Sequence, residues 1–140
     1  MTGGENVESM QISVLAGAPI AGVAPDATLE EVAEAMVAAG VGALVISDGP
    51  GDGATGIVSE RDLVGALAKR EDPSSTRASD VAHTTLVWCD AEATVAEVAT
   101  QMMEHYVRHV LVEEDGRLVG IVSARDLLGA YASDHSEDPD

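Results

Sequence analysis

The sequence predicts a mixed α+β fold built from two copies of one strand-helix-strand-strand-helix (βαββα) repeat. The segment GIVSERDLVGALA at 56–68 recurs as GIVSARDLLGAYA at 120–132, with ten of thirteen positions identical. We call this alignment, which pairs Ser59 with Ser123, the motif register. Upstream the match continues in a second alignment, the helix register, in which Thr28, Glu31, Val32, Ala33, Met36 and Val41 correspond to Thr94, Glu97, Val98, Ala99, Met102 and Val107. A chain of 140 residues has room for these two copies and little else.

The first helix of each copy is predicted from a start signal followed by an apolar face. Thr28 with Glu31, and Thr94 with Glu97, have the spacing of a capping box, in which each side chain satisfies a free backbone N–H of the other residue. Apolar residues then recur with helical spacing at Leu29, Val32, Ala33 and Met36, and at Val95, Val98, Ala99 and Met102. Each helix is therefore expected to turn one face to a core.

Two β-hairpins and a second helix are predicted to follow. The β-rich runs 43–46 and 107–112 precede Gly/Asp turns, and short apolar runs end at Val58 and Val122. The first copy has two extra residues between its halves, which fall at the hairpin tip, where insertions are tolerated. The second helix is expected to start at Ser59 in one copy and at Ser123 in the other.

The domain boundaries follow from the repeats and from composition. We expect domains at 12–70 and 79–132, joined by a linker at 71–78 that is rich in Pro, Ser and charge. Residues 1–11 and the acidic segment 133–140 are expected to be disordered tails.

Composition excludes several classes of partner. Twenty-five acidic residues against seven basic ones give a net charge of −18, which repels nucleic acid and anionic membrane surfaces. The single cysteine, Cys89, cannot form an intramolecular disulfide. Residues 1–11 lack the basic start and apolar run typical of a leader, and no run of 18 apolar residues occurs, so an exported or membrane-spanning protein is not expected. A cytoplasmic location is the simplest expectation.

The doubled motif resembles a known family. Gly-Ile-Val-Ser-x-Arg-Asp closes each copy and Val-Arg-His-Val-Leu-Val precedes the second hairpin, a pattern that resembles a pair of CBS domains, also called a Bateman module. The resemblance covers about residues 12–132 and implies two repeats packed with pseudo-two-fold symmetry. It also implies a regulatory protein that is not an enzyme and that senses an adenosine-containing ligand in a cleft between the repeats.

The resemblance assigns phosphate and ribose contacts to Ser59 and Asp62 in one copy and to Ser123 and Asp126 in the other. The chemistry suits these residues, because a helix start offers free N–H groups to a phosphate and a carboxylate can accept both ribose hydroxyls. Ser-x-x-Asp is also a capping box that needs no ligand. Both interpretations stay open at this point.

The remaining candidate contacts are a basic pair and an apolar slot. Arg108 and His109 lie where the family often places a phosphate-neutralising residue, whereas the first copy has Gly42 and Ala43; Arg108 could instead be exposed or paired with Glu113 or Glu114. Arg61 and Arg125 are equally well explained as surface partners of acids. The slot for adenine would be formed on the first strand of each copy, by Ile20 with Val23 and by Leu86 with Val87, which could equally be plain core residues.

Three other motifs are expected to carry no chemistry. Gly51, Gly53 and Gly56 spell GxGxxG, but a strand follows it, so it is interpreted as a hairpin tip. His105 ends a predicted helix and His109 lies on a strand, so they share no metal-binding face. No catalytic signature orders the Ser, His and Asp residues, and no metal or catalytic residue is assigned.

The sequence therefore predicts a non-enzymatic sensor that binds an adenosyl ligand and regulates an unidentified protein partner. AMP, ADP and ATP are the first candidates, with NAD, S-adenosylmethionine and cyclic dinucleotides as others, and no permanent cofactor is required. A ligand-free scaffold for dimerisation or protein binding is the alternative. A homodimer is expected, since Gly65 and Gly129 recur inside helices and would allow close helix approach, unless they only mark helix ends.

Overall fold

The computed structural model describes residues 6–16, 22–48 and 53–136, which belong to two compact units. The first-repeat unit comprises Ile20–Leu86, and the second-repeat unit combines Met1–Pro19 with Val87–Asp140. Each unit contains a three-stranded sheet and helices, so the predicted mixed α+β fold with two repeats is confirmed.

The first-repeat unit is built on a sheet with the strand order β1-β2-β3. Its elements are β1 (Gly22–Val23), α1 (Leu29–Ala39), β2 (Ala43–Ser47), β3 (Ala54–Ser59), α2 (Glu60–Ala68) and α3 (Ala78–Val81). Strand β1 runs parallel to β2, and β2 pairs antiparallel with β3. The turn at 72–76 lies in the predicted linker, where the backbone N–H and hydroxyl of Ser74 lower the pKa of Asp72 by donating to its carboxylate.

The second-repeat unit repeats this plan with the order β4-β5-β6. Its elements are two 3₁₀ turns (Val7–Ser9 and Ile12–Val14), β4 (Trp88–Asp90), α4 (Val95–His105), β5 (His109–Glu114), β6 (Arg117–Ser123) and α5 (Ala124–Ser136). The bulge between Val112 and Glu113 matches the bulge between Ile46 and Ser47 in the first unit. Asp115 and Gly116 both have positive φ, as a tight two-residue hairpin turn requires.

The predicted helix starts are confirmed. Both capping boxes form: the hydroxyls of Thr28 and Thr94 each accept a hydrogen bond from the backbone of the Glu three residues later, and their own backbone N–H groups donate to its carboxylate. Helix α1 ends at Gly40 with φ 69°, whereas the matching end of α4 is Tyr106 with φ 55°, a left-handed conformation that disfavours a residue with a Cβ.

Each unit has its own apolar core. In the first-repeat unit the buried core is formed by Val32, Met36, Leu44, Ile46, Val58 and Ala78. In the second-repeat unit the core includes Val95, Val98, Met102, Val110, Val112 and Val122, together with Cys89 and the N-terminal Val7 and Ile12. The predicted inward faces of α1 and α4 are therefore the faces that pack.

The N-terminal segment differs from the expected disordered tail over residues 6–11. Asn6 caps the first 3₁₀ turn, Val7 is buried, and the backbone carbonyl of Met10 accepts a 2.9 Å hydrogen bond from Val95. The segment is ordered because its apolar side chains complete the core of the second-repeat unit. Helix α5 also continues through Ser136, into the predicted acidic tail, and residues 137–140 lie outside the described residues.

Two strand boundaries also differ from the prediction. Strand β5 begins at His109 rather than at residue 107, because Tyr106 reverses the chain and the N–H of Val107 still bonds to the carbonyl of Met102. Strand β4 begins at Trp88, so Leu86 and Val87 precede it rather than lying on it.

Candidate functional site

The two repeated serines cap the helices α2 and α5. In the first repeat, the backbone N–H of Ser59 donates to Asp62 Oδ2 at 2.8 Å, and the N–H of Asp62 donates to Ser59 Oγ at 3.3 Å. In the second repeat the same bonds join Ser123 and Asp126 at 2.8 and 3.0 Å. The capping interpretation of Ser-x-x-Asp is thus correct, and it uses only one oxygen of each carboxylate.

The other oxygen distinguishes the two repeats. Asp62 Oδ1 lies 2.8 Å from Nε2 of His83, and the Asp62 side chain is only 9% exposed. Asp126 is exposed, and within the part of the chain that the structure describes its carboxylate bonds only to Ser123. One repeat has a carboxylate already occupied by an imidazole, whereas the other has a carboxylate open to solvent.

The charged residues beside the two helix starts also differ between the repeats, again in favour of ligand binding at the second repeat. In the first repeat a Cβ on Gly42 would lie 2.8 Å from Glu60 Oε1, so a carboxylate covers this position. In the second repeat, Arg108 replaces Gly42 in the helix register and Ala124 replaces Glu60 in the motif register. The carbonyl of Arg108 accepts a 2.8 Å hydrogen bond from the N–H of Ala124, which places Arg108 beside the first turn of α5. The second repeat therefore has a basic residue next to its helix start, where the first repeat has Gly42 and the acidic Glu60.

The other polar candidates lie near the same helix starts. His109 is the first residue of β5 and pairs in register with Ser123. Arg61 and Arg125 occupy the first turns of α2 and α5, and both are exposed. The second repeat therefore brings Ser123, Asp126, Arg108 and His109 to one end of its sheet.

The apolar candidates are less clearly gathered. Val23 pairs with Ile46 on β1 and packs on the core of the first-repeat unit. Val87 packs on the core of the second-repeat unit, and its carbonyl accepts a hydrogen bond from Leu111. Leu86 is half-buried, and Ile20 lies outside the described residues.

Sequence reasoning missed His83. Its backbone forms two 2.9 Å hydrogen bonds with Ile57, which bring the imidazole beside α2 although it comes from the segment after that helix. The sequence did contain an indication that the repeats differ here. The helix register aligns His83 with Gly17, so only one of the two matching positions carries a side chain. Gly17 itself lies outside the described residues.

The described part of the GxGxxG segment and the two histidines His105 and His109 lie where the sequence predicted them. Strand β3 begins directly after Gly53, as a hairpin requires, while Gly51 lies outside the described residues. His105 ends α4 and His109 begins β5. Over residues 6–16, 22–48 and 53–136, no three His, Cys, Asp or Glu side chains are grouped as metal ligands would be.

Two further properties of the described residues bear on chemistry. Burial, together with the nearby Asp90 and Glu113 carboxylates, raises the pKa of the Cys89 thiol to about 11, so this thiol stays neutral near pH 7. Among the helices of the described segments, none has the length and apolar character needed to cross a bilayer.

Comparisons with known proteins agree with the repeated architecture. The family model of the CBS domain matches residues 15–69 and again residues 78–133. Hypoxic response protein 1 of Mycobacterium tuberculosis is 38% identical over 101 residues, which span 71% of this chain and 70% of that protein.

Solved structures give the same result. The crystal structure of Hypoxic Response Protein I, which has two coordinated zinc ions, is 32% identical with a TM-score of 0.67, covering 86% of this chain and 98% of that one. A CBS domain protein of Pyrobaculum aerophilum, complexed with AMP, is 30% identical with a TM-score of 0.74, covering 89% and 99%. The chain therefore belongs to the CBS-domain family and carries two CBS domains in tandem.

Proposed function

We propose that this protein is a non-enzymatic regulator that binds an adenosine-containing ligand at the second repeat and thereby modulates a protein partner. The open carboxylate of Asp126 carries the proposal. Its Oδ2 holds the helix start, and its remaining lone pairs can accept both hydroxyls of a ribose. The 30% identical relative in complex with AMP supports the same ligand class.

Phosphate recognition is assigned to the residues around the start of α5. The first N–H groups of a helix attract an anion, and Ser123 adds a hydroxyl at the same place. Arg108 supplies a local positive charge in a chain with a net charge of −18, where the background potential opposes any nucleotide. His109, next along β5, is the second candidate donor.

The first repeat is proposed as the weaker site. It retains Ser59 and Asp62, but the Glu60 carboxylate stands near Gly42 where the second repeat has Arg108. Each phosphate on a ligand adds to the repulsion from that carboxylate. We therefore expect one phosphorylated ligand per chain, with the first repeat empty or holding a less charged adenosyl compound.

The adenine would pack on apolar side chains near the sheet edges. Val23, Leu86 and Val87 are half-buried, so each has some surface left for a ring to cover. Ile20 remains a candidate from the sequence alone. No permanent cofactor and no metal enters this proposal.

We also propose that the protein forms a homodimer. Dimerisation is the basis of the second candidate function, a scaffold role. Exposed apolar side chains recur at matching helix positions, with Val37 and Met103 paired in the helix register and Val64 and Leu128 paired in the motif register. A repeated apolar surface on helices is suited to pairing with a second copy. If the protein is only a scaffold, this surface is its function and no nucleotide binds.

A thermal-shift screen separates the two candidates. AMP, ADP, ATP, NAD, S-adenosylmethionine and cyclic dinucleotides are each added to the wild type and to Asp126→Asn, which keeps the shape of the side chain and most of its capping ability. We expect an adenosyl compound to raise the melting temperature of the wild type clearly more than that of the variant. The matched ligand control is 2′-deoxy-AMP, which lacks one ribose hydroxyl and should bind more weakly than AMP.

The screen can also contradict the sensor. Wild-type protein whose melting temperature is unchanged by every compound, even at millimolar concentration, would leave the scaffold as the function. A shift of equal size in Asp126→Asn would remove Asp126 from the binding site.

A further inference from the structure

The carboxylate of Asp62 is already satisfied by neighbours within the first-repeat unit. Oδ2 accepts from the backbone N–H of Ser59 at 2.8 Å and from its hydroxyl at 3.0 Å, and Oδ1 lies 2.8 Å from His83 Nε2. A carboxylate offers about four lone-pair positions, of which these contacts occupy three. With 9% of the side chain exposed, little of the fourth faces solvent.

The backbone of His83 is held while its side chain is exposed. Two 2.9 Å hydrogen bonds to Ile57 fix the main chain, and a Cβ on Gly56 would lie 3.1 Å from the His83 carbonyl oxygen, so the segment around His83 lies close to β3. The imidazole itself is 71% exposed. His83 is thus placed beside α2 by the fold, and rotation of its side chain would free Asp62 Oδ1 without any change in the backbone.

The imidazole can compete with a ribose in either protonation state. Neutral histidine with its proton on Nε2 donates to Oδ1 in the same geometry, and the protonated form adds a charge attraction. A ribose diol must donate to the same carboxylate oxygens. It therefore has to displace His83 in the first repeat, whereas it meets no such competitor at Asp126 among the residues that the structure describes.

We propose that His83 is a specificity-determining residue that disfavours a ribose diol at the first repeat, so that two nearly identical Ser-x-x-Asp sequences provide one open carboxylate. This inference rests on the proposed adenosine-binding function and explains how one chain distinguishes its two repeats. The equivalent position in the helix register is Gly17, which has no side chain to offer. The asymmetry is therefore encoded by one residue outside both Ser-x-x-Asp motifs.

The test uses adenosine because it carries no phosphate. Its affinity therefore does not depend on the different charges of Glu60 and Arg108 beside the two helix starts. Adenosine is titrated calorimetrically into Asp126→Asn, in which only the first repeat can bind a diol, and into the same chain carrying His83→Ala. Removing the imidazole should tighten binding about tenfold, because it frees a charged acceptor. Adding Asp62→Asn to the chain with Asp126→Asn and His83→Ala should abolish this gain in adenosine affinity. The affinity for 2′-deoxyadenosine should increase little when His83 is removed.

Controls separate this inference from the proposed function. His105→Ala removes an exposed imidazole from the end of α4 and should leave adenosine affinity unchanged. His83→Gln retains a donor and should give an intermediate gain, and circular dichroism checks that each variant is folded. Equal affinity with and without His83, or no binding in either chain, overturns the inference. The proposed function has its own test in the wild type. It fails if wild-type protein binds no adenosine, or if wild type and Asp126→Asn bind adenosine equally well.

Discussion

The backbone N–H of Ile12 donates a 2.7 Å hydrogen bond to the carbonyl of Ala93, which joins the N-terminal segment to the second repeat. Ala78 makes the matching bond, also 2.7 Å, to the carbonyl of Ala27 in the first repeat. Each repeat is therefore completed by the segment that precedes the other one in sequence. Neither repeat, cut at its motif boundaries, would retain its whole core.

Ile12→Ala is expected to destabilise the protein by about 2–4 kcal/mol, because Ile12 is fully buried and its loss leaves a cavity. Urea unfolding followed by the fluorescence of Trp88, in the same unit, measures the change. Val14→Ala is the matched control: this side chain is 65% exposed and should change stability by less than about 0.5 kcal/mol. Equal, small effects at both positions would mean that the segment does not pack in solution.

Local signals made most of the fold predictable. The capping boxes, the helical spacing of the apolar residues and the hairpin turn each act over a few residues, so the sequence states them directly. The order of residues 6–11 depends on contacts with a distant repeat, and no local pattern in that stretch indicates them. His83 was missed for the same reason, since only the pairing of His83 with Ile57 brings it to Asp62.

Cys89 should make stability fall at high pH. Folding raises its pKa from 9.0 to about 11, so the unfolded chain releases the thiol proton first. The contribution is fully present below pH 9 and is lost as the pH rises toward 11, by about 1 kcal/mol per pH unit. Urea titrations of wild type and Cys89→Ala at pH 8, 9, 10 and 11 isolate this group. A stability difference between the two chains that stays constant with pH would contradict the assignment.

Gly129→Leu should convert the expected dimer to monomer. Gly65 lies inside α2 and Gly129 inside α5, neither at a helix end, and a Cβ on either would have no atom of the described residues within 4 Å beyond its own helix. A leucine there would keep two helices apart if a second copy packs on them. Sedimentation velocity measures the change, with Gly53→Leu as a control in equally open space. A monomeric wild type would end this prediction.

Arg108→Ala should weaken AMP binding about tenfold, because it removes the local cation that offsets the negative chain. Arg70→Ala changes the net charge equally but lies in the first-repeat unit, and should have little effect. Wild-type affinity should hold or increase as salt rises, since screening weakens long-range repulsion more than a close ion pair. Calorimetry at several salt concentrations checks both points, and a steep loss of affinity with salt would be the contrary result.

The most direct test titrates AMP calorimetrically into wild type and into Asp126→Asn. Binding at the second repeat alone requires one AMP site per chain in the wild type. Loss of the charged acceptor should weaken binding about ten- to a hundredfold, with little change in melting temperature because Asn still caps α5. Two equal sites per chain, or the same affinity in both proteins, would contradict it.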